Sequence, residues 1–368
     1  MQIAAVLGRR AVLQDLAMNH PVRFIGRDEI REIGSELTPA ELHQAVDRAW
    51  CDIRAGIAFG GKAVLSLPED DFWRRPERMP FKPAFSAERL GWKLSSLYSV
   101  NAEFGAVKVI GANAFNRKHG LPRSTSTIVL LDKLTMRPLA ILDGTAISAS
   151  RTGTYASTVF DRCFGPDQSV SVFLFGAGPI AQSVIACLDH LAADRVEQIF
   201  VKSRGRDGAR AMTALLQPHT SIRLIPVEDN RRLCECAFVV TATNARAPIF
   251  EDSELMRDAV TLHLGGDEVP QAYLLRALRS GTVVCDNLAM VSQRGSQSVA
   301  LYFQRKGLTL EAVGALLGVR ELSSLADWSD PLERPVCITC VGLPMLDLYT
   351  AQATYEKHLR LSAPLRAD

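Results

Sequence analysis

Residues 171–181 read Ser171-Val172-Phe173-Leu174-Phe175-Gly176-Ala177-Gly178-Pro179-Ile180-Ala181, and this stretch decides the fold. An apolar, β-prone run stops at a Gly-x-Gly-x-x-Ala turn. Apolar residues then recur at helical spacing, at Ile180, Val184, Ile185, Leu188 and Leu191. Strand, glycine turn and helix in that order form the fingerprint of a dinucleotide-binding unit. Gly176 permits the tight turn, Gly178 lets the backbone approach a pyrophosphate, and the small Ala181 lets helix pack on strand. The free N–H groups and dipole at the helix N-terminus favour phosphate charge. Gly176, Ala177, Gly178, Pro179 and Ile180 are therefore expected to line a nucleotide cofactor. The alternative is a strand–helix turn with no ligand.

The next strand, 198–202, ends without an acid. Units that take NAD usually close this strand with Asp or Glu, which accepts hydrogen bonds from the ribose hydroxyls. Here Ser203 and Arg204 follow, with Arg206 and Arg210 close behind, and guanidinium groups bind phosphate well. Ser203, Arg204 and Arg206 point to NADP(H) in preference to NAD(H), with NAD(H) still possible. The alternative is a solvated basic loop.

From about residue 144 strands and helices alternate, with strands expected at 170–175, 197–202, 222–225, 237–242, 259–264 and 282–285. That pattern predicts an α/β fold with a Rossmann doubly wound parallel sheet. Thr241, Ala242 and Thr243 end the fourth of these strands, where small polar groups commonly line the cofactor. Upstream, residues 1–20 read as a helical extension. Thr38-Pro39-Ala40-Glu41 reads as an N-cap, a proline at the first helical position and an acid in the first turn. Residues 66–90 are rich in proline and charge and read as a long loop. Strands are expected at 93–99, 106–111, 125–132 and 136–142, and a linking helix at 146–160. The tail supplies one strand, 336–340, and a final helix to about 361.

A chain of 368 residues suggests two domains, and 47% hydrophobic with 22% charged residues describes an ordinary globular protein. A formal net charge of +2 gives no electrostatic case for nucleic acid or an anionic membrane. No apolar run reaches transmembrane length and the first residues lack a secretory pattern, so a cytoplasmic location is expected. The eight cysteines are scattered. Cys337 and Cys340 have metal-ligand or redox spacing, but without a second such pair or a nearby histidine no metal site is expected.

Asp143-Gly144-Thr145-Ala146-Ile147-Ser148-Ala149-Ser150-Arg151-Thr152-Gly153, read beside the Gly176 turn, resembles the ornithine cyclodeaminase/μ-crystallin family. Further motifs carry the resemblance in order: Val107-Lys108-Val109; Ser124-Thr125-Ser126 leading to Asp132; Thr241-Ala242-Thr243; Gly265-Gly266-Asp267; and Val341-Gly342 followed by Asp347. The resemblance runs from about Phe24 to Tyr355. The stretches 106–113 and 123–132 look like the siderophore-pathway branch, which oxidises N-(2-amino-2-carboxyethyl)-glutamate. The resemblance implies a homodimer in which the Rossmann domain, 146–324, is inserted into a discontinuous α+β substrate and dimerisation domain, 1–145 and 325–368.

It also implies chemistry at the Cα–N bond of an amino or imino acid substrate. Such chemistry needs a cationic clamp for the α-carboxylate, a face-on hydride acceptor and a group that manages protons on nitrogen. Lys108 matches the family lysine that meets the carboxylate. Arg151 matches the arginine at the domain junction, able to bridge substrate and cofactor, with Thr152 beside it. Thr125 matches a threonine near the nicotinamide. Lys62 is a candidate second carboxylate contact, with Arg78, Lys82 and Lys93 competing. Asp267, at the C-terminal end of a parallel strand, is the expected catalytic carboxylate, although the Pro-Gly-Lys that often follows it in the family is replaced by Glu268-Val269-Pro270-Gln271. His263 alternates with Leu262 and Leu264 and reads as a core residue. Expected activities are an N-substituted amino-acid dehydrogenase or an imine (ketimine) reductase. An ornithine-type cyclodeaminase and a non-catalytic NADP-binding protein are the alternatives.

Overall fold

The computed structural model describes residues 21–327 and 332–363. The helical extension expected for residues 1–20 lies outside the described residues. The chain opens with β1 (Arg23–Ile25), α1 (Arg27–Ile33) and α2 (Pro39–Arg54). Thr38 caps α2 in the expected way: its hydroxyl accepts from the Glu41 backbone N–H, and the Glu41 carboxylate accepts from the Thr38 N–H. Then follow β2 (Phe59–Ser66), α3 (Glu69–Trp73), β3 (Lys93–Val100), β4 (Phe104–Ala112), β5 (Ser124–Asp132) and β6 (Pro138–Asp143).

These strands form one six-stranded sheet in the order β1-β6-β5-β4-β3-β2, antiparallel except for the β1–β6 pair. Strand β2 lies where no strand is expected from the sequence. Its Gly60-Gly61 step reads locally as a turn, and only pairing along the whole of β3 makes it a strand. The 66–90 loop also holds more structure than expected. It folds α3 and a 3₁₀ turn (Met79–Phe85) around a small core of Phe72, Trp73, Phe85, Leu90 and Ala114.

The linking helix α4 (Thr145–Cys163) leads into the second sheet. Its elements are β7 (Val170–Phe175), α5 (Pro179–Ala192), β8 (Val196–Lys202), α6 (Arg206–Leu216), β9 (Arg223–Val227), β10 (Phe238–Thr241), β11 (Val260–His263), α7 (Gln271–Ser280), β12 (Thr282–Cys285), α8 (Leu288–Arg294), α9 (Ser298–Gln304), α10 (Leu310–Val313), β13 (Arg320–Glu321) and β14 (Val336–Thr339). All eight strands run parallel in the order β13-β12-β14-β11-β10-β7-β8-β9. The winding reverses between β7 and β10, where such sheets bind ligands.

The tail departs from the expected division at 325. Its strand β14 does not join the first sheet. It is fully buried between β11 and β12, as its run Val-Cys-Ile-Thr suits. Only the final helix, α11 (Pro344–Ser362), returns to the first sheet, packing on α2 and on β2 to β5. It is buried on nearly every side. Helix α4 packs closely on α5 because Gly153 lacks a side chain. A Cβ there would come within 2.5 Å of the Ser183 backbone.

Candidate active site

The glycine turn has the geometry its sequence demands. Gly176 takes φ +122°, and a Cβ there would meet the Ala242 carbonyl oxygen at 2.5 Å, so β7 and β10 end in contact. The Gly176 N–H donates to the Lys202 carbonyl at 2.8 Å, and the Ala242 N–H to the Phe175 carbonyl at 2.8 Å. Gly178 starts α5, with Pro179 at its first position, and no side chain caps the helix. A Cβ on Gly178 would face open space. The uncapped amides and the open approach fit a dinucleotide pyrophosphate.

Ser203 folds over the start of α6: its hydroxyl donates to the Gly205 carbonyl and accepts from the Ala209 N–H at 2.8 Å. Arg204 pairs with Glu88 at 2.9 Å, whereas Arg206 and Arg210 share Glu228 at 2.9 and 3.1 Å. All three guanidinium groups are exposed.

The threonines after β10 are committed elsewhere. Thr241 donates to Glu268 at 2.7 Å, and Thr243 gives Glu268 both its N–H and its hydroxyl. Burial raises the Glu268 carboxyl, against these hydrogen bonds. Thr241 also bonds His263 Nδ1 at 3.0 Å, and His263 Nε2 bonds Thr261 at 2.8 Å. Burial pushes His263 down to about 3, so it is a neutral core residue. Thr152 donates to the Ser148 carbonyl within its own helix.

Three elements far apart in sequence build the buried centre. Lys108 Nζ donates to Asp347 Oδ1 and to Ser148 Oγ, both at 2.7 Å. Arg151 grips the same carboxylate with Nε to Oδ1 at 2.7 Å and Nη2 to Oδ2 at 3.1 Å. The Arg151 guanidinium lies under Gly342, where a Cβ would come within 2.6 Å of it. Burial raises Asp347, but Arg151 and Lys108 outweigh it and hold the carboxyl below its usual range. Burial brings Lys108 down to about 8 in spite of Asp347.

A second group sits at the C-terminal edge of the parallel sheet. Lys62 Nζ and Arg294 Nη1 both donate to the Val341 carbonyl, at 2.9 and 3.1 Å. Asp286 accepts from the Val341 and Gly342 N–H groups at 2.9 and 2.8 Å and from the Tyr155 hydroxyl at 3.0 Å. Lys62 lies opposite Leu97, which lies opposite Lys108, so both lysines project from the inner face of the first sheet. Lys93 shares that face. Burial, then Arg294, Arg151 and Lys93, push Lys62 well down; burial, then Arg294 and Arg123, push Lys93 down to about 7.

Two expected site residues do not join these clusters. Thr125 is exposed on the outer face of β5, because Ile128 opposes Lys108 and so residues 124, 126, 128 and 130 point inward. Ser126 takes the inward place. Asp267 does not touch Lys108 or Arg151; its carboxylate accepts from Arg305 Nη2 at 3.0 Å and lies 3.7 Å from Arg89 Nη2. Sequence reasoning assigned no role to Asp286, Arg294 or Asp347. Asp286 carried a readable signal, since it follows the apolar run of β12 just as Asp267 follows that of β11. Cys337 and Cys340 are buried and free, and burial raises both thiols.

Fold and site together define a Rossmann protein whose cleft is closed by a second, mainly antiparallel sheet carrying buried cations. Residues 74–359 match the ornithine cyclodeaminase/mu-crystallin family, and the chain belongs to it. A Δ1-pyrroline-2-carboxylate reductase of Colwellia psychrerythraea is 27% identical over 264 residues, spanning 68% of this chain and 80% of that protein. The Δ1-pyrroline-2-carboxylate reductase of Thermococcus litoralis, solved with NADH and L-proline, superposes with a TM-score of 0.74 at 21% identity, covering 92% of this chain and 98% of its own. The iminosuccinate reductase of Paracoccus denitrificans, solved with NAD⁺, gives a TM-score of 0.67 at 20% identity, covering 92% and 97%. These structural likenesses establish the fold.

Proposed function

We propose that this protein is an NAD(P)-dependent oxidoreductase acting on the C–N bond of an amino or imino acid, working as an imine reductase. The observation that carries the reading is the gathering of buried Lys108 and Arg151 with half-buried Lys62 beside the C-terminal edge of a parallel sheet that also bears the Gly176 turn. Val341 and Gly176 follow β14 and β7, which are three strand spacings of about 4.8 Å apart, or about 14 Å. A dinucleotide anchored by its pyrophosphate at Gly176 has the reach to bring its nicotinamide to that centre.

A bound nicotinamide would supply or accept the hydride at the substrate Cα, so that imine, reduced cofactor and a proton give amine and oxidised cofactor. The protein's residues do the rest. Lys62, Lys108 and Arg151 hold the α-carboxylate and fix the plane of the C=N bond against the cofactor face. Asp347 keeps Lys108 and Arg151 charged and aimed. Asp267 orients the N–H of the protonated imine and takes that proton in the reverse direction. Support for Asp267 is its place just beyond a parallel strand, next to Arg89 on the loop ahead of β3.

Arg204 and Arg206 favour NADP(H), since nothing acidic closes β8 and both guanidiniums are exposed at its end. That preference suits reduction over a cyclodeaminase cycle. The substrate domain comprises the first sheet with α11, and a homodimer is the expected assembly. The test is steady-state oxidation of NADPH and NADH with 1-pyrroline-2-carboxylate and with imines formed from 2-oxo acids and amines. Turnover with at least one imine supports the reading, and binding of reduced cofactor with no turnover of any imine counts against it.

A further inference from the structure

The α-carboxylate clamp leaves cations over. Lys93, Arg123 and Arg294 make no ion pair with a carboxylate among the described residues. Arg294 spends one nitrogen on the Val341 carbonyl, and its Nε is buried and donates to nothing. Arg123 gives Nη2 to Asn244 Oδ1 at 2.8 Å, and its Nε is likewise buried and unused. Arg123 reaches this place past Gly91, where a Cβ would come within 2.6 Å of Nη2. Lys93 lies two residues further along, on the inner sheet face that also bears Lys62. Buried donors without partners are uncommon, and the carboxylates whose charge reaches these guanidinium groups, Glu88 for Arg123 and Asp286 for Arg294, do not pair with them.

The cofactor phosphates do not answer for Arg294, which touches Val341. They belong at the Gly176 turn, about 14 Å across the sheet from Val341. A single α-carboxylate offers two oxygens, and the proposed function already assigns these to Lys62, Lys108 and Arg151.

We infer that Lys93, Arg123 and Arg294 form a second anion subsite that takes a side-chain carboxylate, so that the substrate is a dicarboxylic amino or imino acid. The inference rests on the C–N oxidoreductase reading for its α-carboxylate clamp. Arg294 sits between the two subsites, touching the same carbonyl as Lys62, so it sets the spacing between the two carboxylates.

Two measurements test it on the full-length protein loaded with NADP⁺ or NADPH. The first is calorimetric binding of succinate and glutarate against propionate and butyrate. The second is NADPH-dependent turnover of imines formed from ammonia with oxaloacetate or 2-oxoglutarate, against those from pyruvate or 2-oxobutanoate. The diacids are expected to bind at least about tenfold more tightly, and their imines to show kcat/KM at least about thirtyfold higher. Lys93→Met and Arg123→Gln are expected to cut the diacid-to-monoacid ratio about tenfold or more, mainly through KM, with cofactor affinity retained. Equal use of both classes, or equal losses for both classes in the variants, would overturn the subsite. Turnover of monoacid imines without diacid preference would overturn the subsite and leave the oxidoreductase reading standing. Tight diacid binding that the variants abolish, with no turnover of any imine, would overturn the oxidoreductase reading and keep the subsite.

Discussion

Arg151 and Asp347 meet in a two-pronged ion pair across the junction of the two sheets, with Nε to Oδ1 at 2.7 Å and Nη2 to Oδ2 at 3.1 Å. Lys108, from the middle of the first sheet, shares the same carboxylate. One side chain on the final helix thus ties the linking helix to the first sheet. Removing it leaves two buried cations unpaired. Asp347→Asn is expected to cost about 3–5 kcal/mol of folding stability, read as a lower urea midpoint. An unchanged midpoint would show that the cluster carries no net stability.

The same carboxylate sets an acid limit. Its folded pKa lies below the ordinary 3.8, so its stabilisation is present above that value and fades as pH falls through the lower, folded one. The wild-type protein should lose stability steeply below about pH 4, a limb that Asp347→Asn should flatten. Parallel pH-stability curves for the two proteins would refute the assignment.

The two glycines of the turn should fail differently. Gly176→Ala forces a Cβ against the Ala242 carbonyl at a positive φ, so it should destabilise the fold itself. At Gly178 a Cβ has room in the protein. Gly178→Ala should therefore keep its melting temperature yet bind dinucleotide about tenfold or more weakly, because the methyl stands where the pyrophosphate approaches. Retained affinity in Gly178→Ala would remove the turn from the cofactor site.

Arg204 and Arg206 flank the end of β8, each held by a single carboxylate, Glu88 or Glu228. Replacing both by Gln should weaken NADPH binding about tenfold, near 1.4 kcal/mol, while leaving NADH almost unchanged. Equal losses for both cofactors would show that they do not read the 2′-phosphate.

Lys93 should give diacid binding a pH dependence. The groups facing it are Arg294 from α8, Arg123 ahead of β5 and Lys62 on β2, all positive. Burial and the nearest of these, Arg294 and Arg123, leave its pKa at about 7 in the free protein. Diacid affinity should fall by up to about tenfold per pH unit above that value, as each binding event must then recover a proton. The same shift makes folding stability rise with pH between about 7 and the unfolded value of 10.5, because the unfolded chain holds a proton that the native lysine has lost. Calorimetry of succinate binding across this range reads the first effect, and a flat profile would mean that Lys93 is not a ligand.

Much of the fold was legible because its signals are local. The Gly176 turn sits between an apolar strand and an amphipathic helix, and the Thr38 capping box marks its helix start. Strand β14 was recognisable as a strand but not as a neighbour of β11 and β12, since that pairing joins residues 76 and 54 positions apart at Val260–Val336 and Thr282–Val336. The outward place of Thr125 was not legible, because the resemblance gives no strand parity and Ile128-Val129-Leu130-Leu131, apolar throughout, hides which parity faces inward. Lys108 and Arg151 were visible as motifs. Their shared partner Asp347 was visible only as a position, because the contact joins residues 239 and 196 apart. The cations around Lys93 come from β2, β3, a loop and α8, and no local spacing announces such a gathering.

The central claim is that this site moves a hydride to the α-carbon of an imino acid. The most direct measurement uses NADPH deuterated at the transferable position of the nicotinamide, with imines of both monocarboxylic and dicarboxylic 2-oxo acids, and mass analysis of the amino-acid product. One deuteron is expected at Cα of the product, in step with cofactor oxidation, and Arg151→Met is expected to lose that transfer. Cofactor oxidation with no deuteron at Cα, or tight cofactor binding with no amino acid formed from any imine, would contradict it.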